Sequence, residues 1–344
     1  NYAFYNIKGI KELNLPKLTT IGDYAYNASE YIYLESNNPP TISANTFDND
    51  LAKIFVNAGA IDTYLELNNI NTTQVYQKGF LSDDRKYIVF EYNDGLGISY
   101  VINNVVSTST LGIPTQLSLK GTYKKILVIG TNSYRHMNIY NATGASVVLP
   151  STVVRIDKYA FYNLNITSIS LTNVEEVKAY AFYNTKIDML QSSSLQTIGE
   201  HAFENTLIKE LSLSNISYIG DYAFNKVETM YSAYLYNVSY IGDYAFNDCK
   251  YLNKVYFSNT NTKLINNSEQ VDITVGTNAT FSNWGFYTDG RLRVYVPDGK
   301  TESGNTYLSL YQKLFTGNEN YIFITGYEIG SYIHMALPYD INIY

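Results

Sequence analysis

The sequence is poor in the residues that build disulfides and metal centres. Cys249 is the only cysteine among 344 residues, which excludes an internal disulfide and a Cys-rich metal site. The histidines His136, His201 and His334 are far apart, and none belongs to an HExxH or similar metal-binding spacing. A P-loop, a GxSxG elbow and a GxGxxG turn after a strand are also missing. The sequence therefore predicts no metal, no cofactor and no catalytic residue, and an enzyme is the least favoured class.

Clusters of basic residues and long apolar runs are missing as well. Asp and Glu outnumber Lys and Arg by 31 to 24, the formal net charge is −7, and no Lys/Arg cluster marks one face. This charge balance argues against nucleic acid or an anionic membrane as the partner. No apolar run approaches the length of a membrane span, so we expect no membrane insertion. Hydrophobic residues nevertheless make up 45 % of the chain, which predicts a folded core.

What the sequence does have is an internal repeat. The heptapeptide YIGDYAF occurs at Tyr218–Phe224 and again at Tyr240–Phe246, and TIGDYAY at Thr20–Tyr26 is a near copy. The alanines of these and related motifs recur every 21 or 22 residues in two runs, Ala3 and Ala25, then Ala160, Ala181, Ala202, Ala223 and Ala245. Such a copied unit predicts a repeat architecture. The opening NYAFYN lies inside one copy, so we expect that the chain begins within a longer protein, downstream of any targeting segment.

Each repeat combines a short strand with a corner. The L-x-x-L-x-L stretch alternates with period two, which predicts a strand with one face inward. The I-G-D-Y-A-F stretch turns the chain and returns Ala and Phe to the interior. One coil cannot bury its apolar face, but neighbours stacked about 4.8 Å apart can. The sequence thus predicts a solenoid of stacked 21–23-residue coils with a parallel β-sheet on its concave side.

The Asp of the corner motif is either a working carboxylate or part of the scaffold. Along the repeats, its position is occupied by Asp23, Lys158, Ala179, Glu200, Asp221 and Asp243. Stacked carboxylates suit calcium, but Lys158 and Ala179 interrupt this column. We interpret the acid as the start of a one-turn helix, beside exposed N–H groups. Cys249 falls in a column of small or apolar residues, so we interpret it as a packing residue rather than a nucleophile.

Two segments interrupt the repeat in the same way. Pro39–Leu67 and Asn278–Gln312 each predict a strand followed by a Tyr-bearing helix, which is how the open end of a solenoid is covered. Two such caps imply two repeat blocks, and Lys86–Ile102 between them reads as a β-hairpin with a turn near Asp94-Gly95. The predicted boundaries are 1–75 for the end of the first block with its cap, 76–110 for the connecting hairpin segment, 111–315 for the second block with its cap and 316–344 for an extended tail.

The repeated residues resemble the BspA-like leucine-rich repeat family, also called the Treponema pallidum type. The I-G-x-x-A-F unit, the L-x-x-V-x-F strand at Leu252–Phe257 and the V-P-x-G turn within Val294–Gly299 all match. The resemblance covers residues 1–70 and 146–312 well and 76–145 poorly. It implies a leucine-rich-repeat solenoid without shared catalytic residues. It also implies an extracellular or cell-surface location and adhesion to host or cell-surface proteins.

The concave sheet is the usual binding surface of such solenoids, and its outward positions follow from the strand register. Tyrosine gathers on these positions toward the C-terminal end of the second block. The predicted contact residues are Tyr31, Tyr33, Glu210, Tyr234, Tyr236, Lys254 and Tyr256. Exposed tyrosine offers an apolar face plus a hydroxyl, which suits contact with protein or glycan. The alternative is that tyrosine, with 36 copies in the chain, is present here only because it favours strands.

Three functions are compatible with this surface. The favoured one is a non-enzymatic adhesion or protein-binding module that acts as a monomer, with host or cell-surface proteins as partners. A carbohydrate-binding module is the first alternative, with glycans over the same tyrosines. A passive spacer that presents another domain is the second alternative, and it predicts no ligand at all.

Overall fold

A computed structural model of the chain confirms a solenoid of stacked coils with parallel sheets. The structure describes residues 1–3, 12–26, 31–47, 52–102, 105–106, 109–139, 143–257, 274–275, 292–297, 306–312, 321–329 and 332–335. No helix among these residues is long and apolar enough to cross a membrane. Parts of the predicted second cap, at 278–291 and 298–305, and the end of the predicted tail, at 336–344, lie outside the described residues.

The first block is a small parallel sheet closed by one short helix. Its strands are β1 (Glu12–Leu15), β2 (Thr20–Ile21), β3 (Tyr31–Leu34), β4 (Thr41–Ile42), β5 (Lys53–Val56) and β6 (Val75–Gln77). β1, β3, β5 and β6 pair in this order, and β2 pairs with β4 at the corner. After β5, a 3₁₀ turn at Ala58–Ala60 leads into α1 (Ile61–Leu65), where Ile61 and Tyr64 are buried, and a second 3₁₀ turn at Thr72–Gln74 precedes β6. The predicted strand-plus-helix cap is therefore present.

The segment after the first block contains antiparallel hairpins. Its strands are β7 (Phe80–Leu81), β8 (Tyr87–Tyr92), β9 (Gly95–Val101), β10 (Val105–Val106), β11 (Thr110–Gly112), β12 (Gln116–Leu119) and β13 (Thr122–Ile129). β8 and β9 form the predicted hairpin, with Asn93 and Asp94 in the turn. β9 also pairs in parallel with β13, and Val89, Leu96 and Ile98 are buried in the core of the second block. The hairpins are thus built into the second block, and the boundary at 110 stays a prediction.

The second block repeats one coil several times. Its elements are β14 (Asn138–Ile139), β15 (Ala145–Val148), β16 (Arg155–Ile156), β17 (Ile166–Ile169), β18 (Glu176–Val177), β19 (Met189–Ser192), β20 (Thr197–Ile198), β21 (Glu210–Leu213), β22 (Tyr218–Ile219), β23 (Ser232–Leu235), β24 (Tyr240–Ile241), β25 (Lys254–Phe257), β26 (Thr274–Val275), β27 (Leu292–Pro297), α2 (Tyr307–Gln312), β28 (Tyr321–Ile329) and β29 (Tyr332–Met335). The corner strands β16, β18, β20, β22, β24 and β26 continue the sheet of β7, β8, β9 and β13. β19, β21, β23, β25, β27, β28 and β29 form a separate seven-stranded sheet, which we name the concave sheet. α2 follows β27 as the helix of the second cap.

The core confirms the apolar columns of the repeat. The phenylalanines of the corner motif are fully buried and stack in one column with neighbouring ring centroids 5.1 to 5.6 Å apart, namely Phe161, Phe182, Phe203, Phe224 and Phe246. Tyr134 extends the column, with its ring 5.3 Å from Phe161. Each inner ring is buried by the rings of the coils before and after it, which a single coil could not achieve.

The corner of each coil is a turn, and the one-turn helix that we expected there is wrong. The residue before the repeated alanine has left-handed backbone, with φ between 52° and 59°, at Tyr2, Tyr24, Tyr159, Tyr180, His201, Tyr222 and Tyr244. Positive φ at tyrosine is uncommon and costs about 1 kcal/mol or more. Hydrogen bonds between coils offset this strain, because the Tyr222 N–H donates to the Asp243 carbonyl at 2.9 Å. The Asp221 carboxylate accepts the Asp243 N–H at 2.9 Å, so the Asp of the motif joins neighbouring coils.

His201 and Cys249 both have structural roles within the repeat. His201 occupies a tyrosine position, and its ring stacks between Tyr180 and Tyr222 with centroids 4.5 and 4.7 Å away. Cys249 is fully buried, as predicted, and its thiol donates to the Phe224 carbonyl at 3.1 Å. Burial raises the pKa of the Cys249 thiol far above its usual value, which keeps the thiol protonated and unreactive.

Candidate binding surface on the concave sheet

The candidate surface lies on β21, β23 and β25, three adjacent strands of the concave sheet. Their parallel register aligns the outward positions into rows that run across the strands. The first row is Ser212, Tyr234 and Tyr256, and the second row is Glu210, Ser232 and Lys254. The residues between the rows, Leu211, Ala233 and Val255, are fully buried. This alternation determines which side chains lie on the outer face of the sheet.

Tyr234 and Tyr256 form a stacked pair in the first row. Their ring centroids are 4.3 Å apart and the ring planes lie within 7° of each other. Tyr256 is 5 % exposed, so the exposure that we expected for this residue is wrong. Tyr234 is half-buried, and its neighbour in the row on the other side is the small Ser212. The buried ring of Tyr256 thus supports the more accessible ring of Tyr234.

Tyr231 belongs to the same surface and was missed in the sequence. It precedes β23, its side chain is 46 % exposed, and its hydroxyl donates to Oε2 of Glu210 at 3.2 Å. The nearby Glu210 carboxylate raises the pKa of the Tyr231 hydroxyl, with a smaller contribution from desolvation. The N–H of Tyr231 donates to the Lys209 carbonyl of the preceding coil at 2.9 Å. Tyr231 thus occupies the first x position of the L-x-x-L-x-L stretch that runs from Met230 to Leu235, and this position in the repeat was the available signal.

Charge is distributed along the second row. Glu210 and Lys254 lie on strands two apart, so their Cα atoms are separated by about 10 Å. Within the described part of the chain, neither side chain makes an ion pair. Ser232 between them is 1 % exposed, and its Oγ has no hydrogen-bond partner among the described residues. The row thus presents a carboxylate and an ammonium to complementary groups of a partner.

The other predicted residues occupy different places. Tyr236 directly follows β23 and is half-buried, and its N–H donates to the Leu213 carbonyl at 3.0 Å. Tyr31 and Tyr33 of the first block pack against an aromatic cluster at the junction of the two blocks. Tyr33 stacks on Phe55 with ring centroids 5.1 Å apart, and burial raises its pKa to about 12. The structure therefore divides the predicted residues between this junction and the concave sheet of the second block.

The junction also accounts for the position of His136. Its Nε2 lies 2.8 Å from the Val101 carbonyl, and its ring stacks on Tyr100 of β9 with centroids 4.3 Å apart. Tyr100 in turn lies 6.3 Å from Tyr31 of the first block, ring centre to ring centre. Burial lowers the pKa of His136, which favours the neutral imidazole. Among the described residues, no three His, Cys, Asp or Glu side chains are close enough to share a metal ion.

Comparison with known proteins identifies the repeat. The model of the BspA type leucine rich repeat region matches this chain in six copies, at residues 1–76 and 128–253. The second match begins before residue 146, where the resemblance was recognised in the sequence. No curated protein matches this chain.

Solved structures were compared as well. A leucine-rich repeat protein from Bacteroides ovatus is 18 % identical to this chain, with a TM-score of 0.37. The alignment covers 70 % of this chain and 77 % of the Bacteroides ovatus chain. A leucine rich cell surface protein from Faecalibacterium prausnitzii is 13 % identical, covers 62 % and 87 %, and has a TM-score of 0.30. The pneumococcal vaccine antigen PcpA is 10 % identical, covers 69 % and 96 %, and has a TM-score of 0.27. Because the family match spans more than half of its residues, the chain belongs to the BspA-type leucine-rich repeat family.

Proposed function

We propose that the chain is a non-enzymatic binding module of an exported or cell-surface protein, and that it adheres to host or cell-surface proteins. The proposed contact is the concave sheet of the second block. The observation that carries this proposal is the group formed by Glu210, Tyr231, Tyr234 and Lys254, which we name the tyrosine surface. The location outside the cell and the choice of partners rest on the family to which the repeat belongs.

The tyrosine surface has the properties of a protein-binding hot spot. Aromatic side chains that are held in place lose little conformational freedom when a partner binds. Tyr234 is held by the Tyr256 ring at 4.3 Å, and Tyr231 is held by its hydrogen bond to Glu210. The carboxylate and the ammonium at either end of the surface supply orientation and specificity. We therefore favour a partner with complementary charges around an apolar centre.

A glycan is a weaker candidate for the same surface. Sugar rings bind tyrosine by packing their C–H groups on an open aromatic face. Stacking of Tyr234 on Tyr256 covers one face of each ring, and Tyr256 is 5 % exposed. Only one face of Tyr234, beside Ser212, is left for such a contact. The hydroxyl, carboxylate and ammonium groups of the surface suit a polypeptide better.

The test uses purified extracellular-matrix proteins and a glycan array as probes. The variant combines Tyr231→Ala with Tyr234→Ala, and Tyr218→Ala is the matched control, because Tyr218 is 41 % exposed on a corner strand of the other sheet. We expect the unmodified chain to bind at least one matrix protein. The double variant is expected to lose about 30-fold or more in affinity, since two interfacial tyrosines commonly contribute about 1 kcal/mol or more each. Tyr218→Ala is expected to leave the affinity unchanged.

Other outcomes point to other functions. Binding to glycans alone, lost in the double variant, would identify a carbohydrate-binding module. Binding to a matrix protein that the double variant retains would place the contact elsewhere on the chain. No binding to either set of probes would favour the passive spacer.

A further inference from the structure

The hairpins between the two family-matched stretches carry a second exposed surface. Residues 77–127 lie outside the match to the family. Even so, β9 and β13 pair within the main sheet of the second block, and Leu96, Ile98 and Ile126 are fully buried. The hairpins are therefore fixed to the solenoid. The side chains that they expose are held in a defined position relative to the coils.

The hairpins expose three large apolar side chains. Phe80 and Leu81 of β7 are 49 % and 42 % exposed, and Tyr123 of β13 is 69 % exposed. Among the described strands, β7 pairs only with β8 and lies at the edge of its sheet. Tyr123 pairs across its hairpin with Ser118, which hydrogen-bonds to Asp83 three residues after Phe80, so both hairpins contribute to this region. Exposed apolar side chains that ordered elements bring to one region are typical of an interaction site. We name Phe80, Leu81, Lys120 and Tyr123 the hairpin platform.

Asp83 connects the β7–β8 loop to the β12–β13 turn. Its carboxylate accepts a hydrogen bond from the Ser118 hydroxyl and from the N–H groups of Lys120 and Gly121, the latter two at 3.0 and 2.8 Å. The N–H of Asp83 donates to the Ser118 carbonyl at 2.9 Å. These donors lower the pKa of Asp83, the Ser118 hydroxyl most of all. The β7–β8 loop and the β12–β13 turn are thus held together, and little ordering is needed when a partner binds.

The segment that carries the platform is basic in an acidic chain. Residues 77–127 contain six of the 24 Lys and Arg residues but only four of the 31 Asp and Glu residues. The exposed cations of this segment that pair with no carboxylate among the described residues are Arg85, Lys86, Lys120 and Lys125. The ammonium of Lys120 lies 4.6 Å from the centre of the Phe80 ring, so positive charge adjoins the apolar side chains.

We propose that the hairpin platform binds an acidic segment of a partner protein that also carries apolar side chains. The acidic groups of the partner pair with Lys120, Arg85 and Lys86, and its apolar side chains pack on Phe80 and Tyr123. Charge pairs at the edge of such a contact raise the association rate and are screened by salt. Binding is therefore strongest at low ionic strength.

An anionic lipid surface fits the platform less well. Asp83 and Asp84 lie in the β7–β8 loop, where they would meet the lipid headgroups together with the cations. The net charge of −7 also repels the whole chain from an anionic leaflet at long range. A partner protein can place its acidic groups beside the cations alone, which a uniform lipid surface cannot do.

The experiment is a selection from a random peptide library displayed on phage, against the immobilised full chain. We expect the enriched peptides to combine Asp or Glu with aromatic or aliphatic residues. Synthetic versions of these peptides are expected to bind about tenfold more weakly to two variants than to the unmodified chain. One variant combines Lys120→Gln with Arg85→Gln, and the other carries Phe80→Ser. Lys226→Gln is the matched control, because Lys226 is an exposed lysine at a corner of the second block, and it is expected to change nothing.

Several results would overturn the proposal. Enriched peptides without an excess of acidic residues would do so, as would peptides that bind the platform variants as tightly as the unmodified chain. Binding to phosphatidylglycerol vesicles, or a concentration-dependent dimer, would overturn it if the same variants abolished it. Circular dichroism of each variant checks that it is folded. Combining Tyr231→Ala with Tyr234→Ala should leave peptide binding intact, which separates this platform from the tyrosine surface.

Discussion

The rings of Tyr234 and Tyr256 lie parallel with their centroids 4.3 Å apart, yet the two residues differ in exposure. Tyr256 is 5 % exposed, whereas Tyr234 is half-buried. Both occupy the same row on adjacent strands, so their neighbours cause the difference. β25, which carries Tyr256, is flanked by β27, whereas the neighbour of Tyr234 on β21 is Ser212. The stack therefore joins a structural tyrosine to one that a partner can reach.

Replacing these two tyrosines is expected to have unequal effects on stability. Tyr256→Ala removes a buried ring and leaves a cavity, which lowers the free energy of unfolding by about 3 kcal/mol. Tyr234→Ala removes a ring that is already partly in water, and we expect a loss of about 1 kcal/mol. Urea denaturation followed by circular dichroism measures both. An equal loss in the two variants would contradict the unequal roles, and Tyr256→Phe, which keeps the ring, serves as the control.

The phenylalanine column is expected to dominate the stability of the second block. Phe203 is fully buried between Phe182 and Phe224, so Phe203→Ala removes contacts with both neighbouring coils. A loss of about 3–5 kcal/mol in the free energy of unfolding is expected. Phe80→Ala is the matched control, because Phe80 is 49 % exposed, and its loss should stay within about 0.5 kcal/mol. Thermal and urea unfolding of the two variants measure these losses. Similar losses in both variants would contradict the dominant role of the phenylalanine column.

The sequence predicted those features whose causes are local and repeated. Periodicity alone placed Phe203 and Ile219 in the core, because every copy must bury the same positions. The small or apolar residues in the column of Cys249 likewise identify it as a packing residue, and it is fully buried. The hairpin of β8 and β9 was also predictable, since its alternation and its turn lie within one short segment.

Features that depend on contacts between distant segments could not be predicted. Tyr31 and Tyr33 are half-buried because the junction cluster, with Tyr100 from the hairpin, packs against the first block. The basic group around Lys120 is assembled by two hairpins, so the sequence showed no cluster of Lys and Arg. The left-handed backbone at Tyr222 also escaped detection, because tyrosine does not favour positive φ and hydrogen bonds to the next coil stabilise it.

The buried carboxyl of Asp157 is expected to make stability depend on pH. Asp157 is 6 % exposed, and burial raises its pKa despite Arg155, whose Nε lies 2.7 Å from Oδ1, and Lys178 at 3.8 Å. An acid whose pKa is higher in the folded state binds its proton more tightly there. Its contribution is therefore greatest below the unfolded pKa of about 4 and is lost as the pH rises through the folded pKa.

Asp157→Asn removes this titration and so isolates it from the other carboxyl groups. We expect the unmodified chain to lose thermal stability relative to Asp157→Asn as the pH rises from about 4, until the folded pKa is passed. Thermal midpoints of both proteins across this range measure the difference. A difference that stays constant, or that runs in the opposite direction, would show that burial does not raise the pKa of Asp157.

Cys249 is expected to report on the opening of the second block. Its thiol is fully buried, donates to the Phe224 carbonyl and has a raised pKa, so little thiolate is present or accessible in the folded chain. A maleimide reagent should therefore leave the native chain unmodified and label it completely in urea. Because no other cysteine is present, the labelled mass is assigned without ambiguity. Ser217→Cys in a Cys249→Ala background supplies an exposed control that reacts at once, and equally fast labelling of native Cys249 would mean that the coil around Phe224 opens readily.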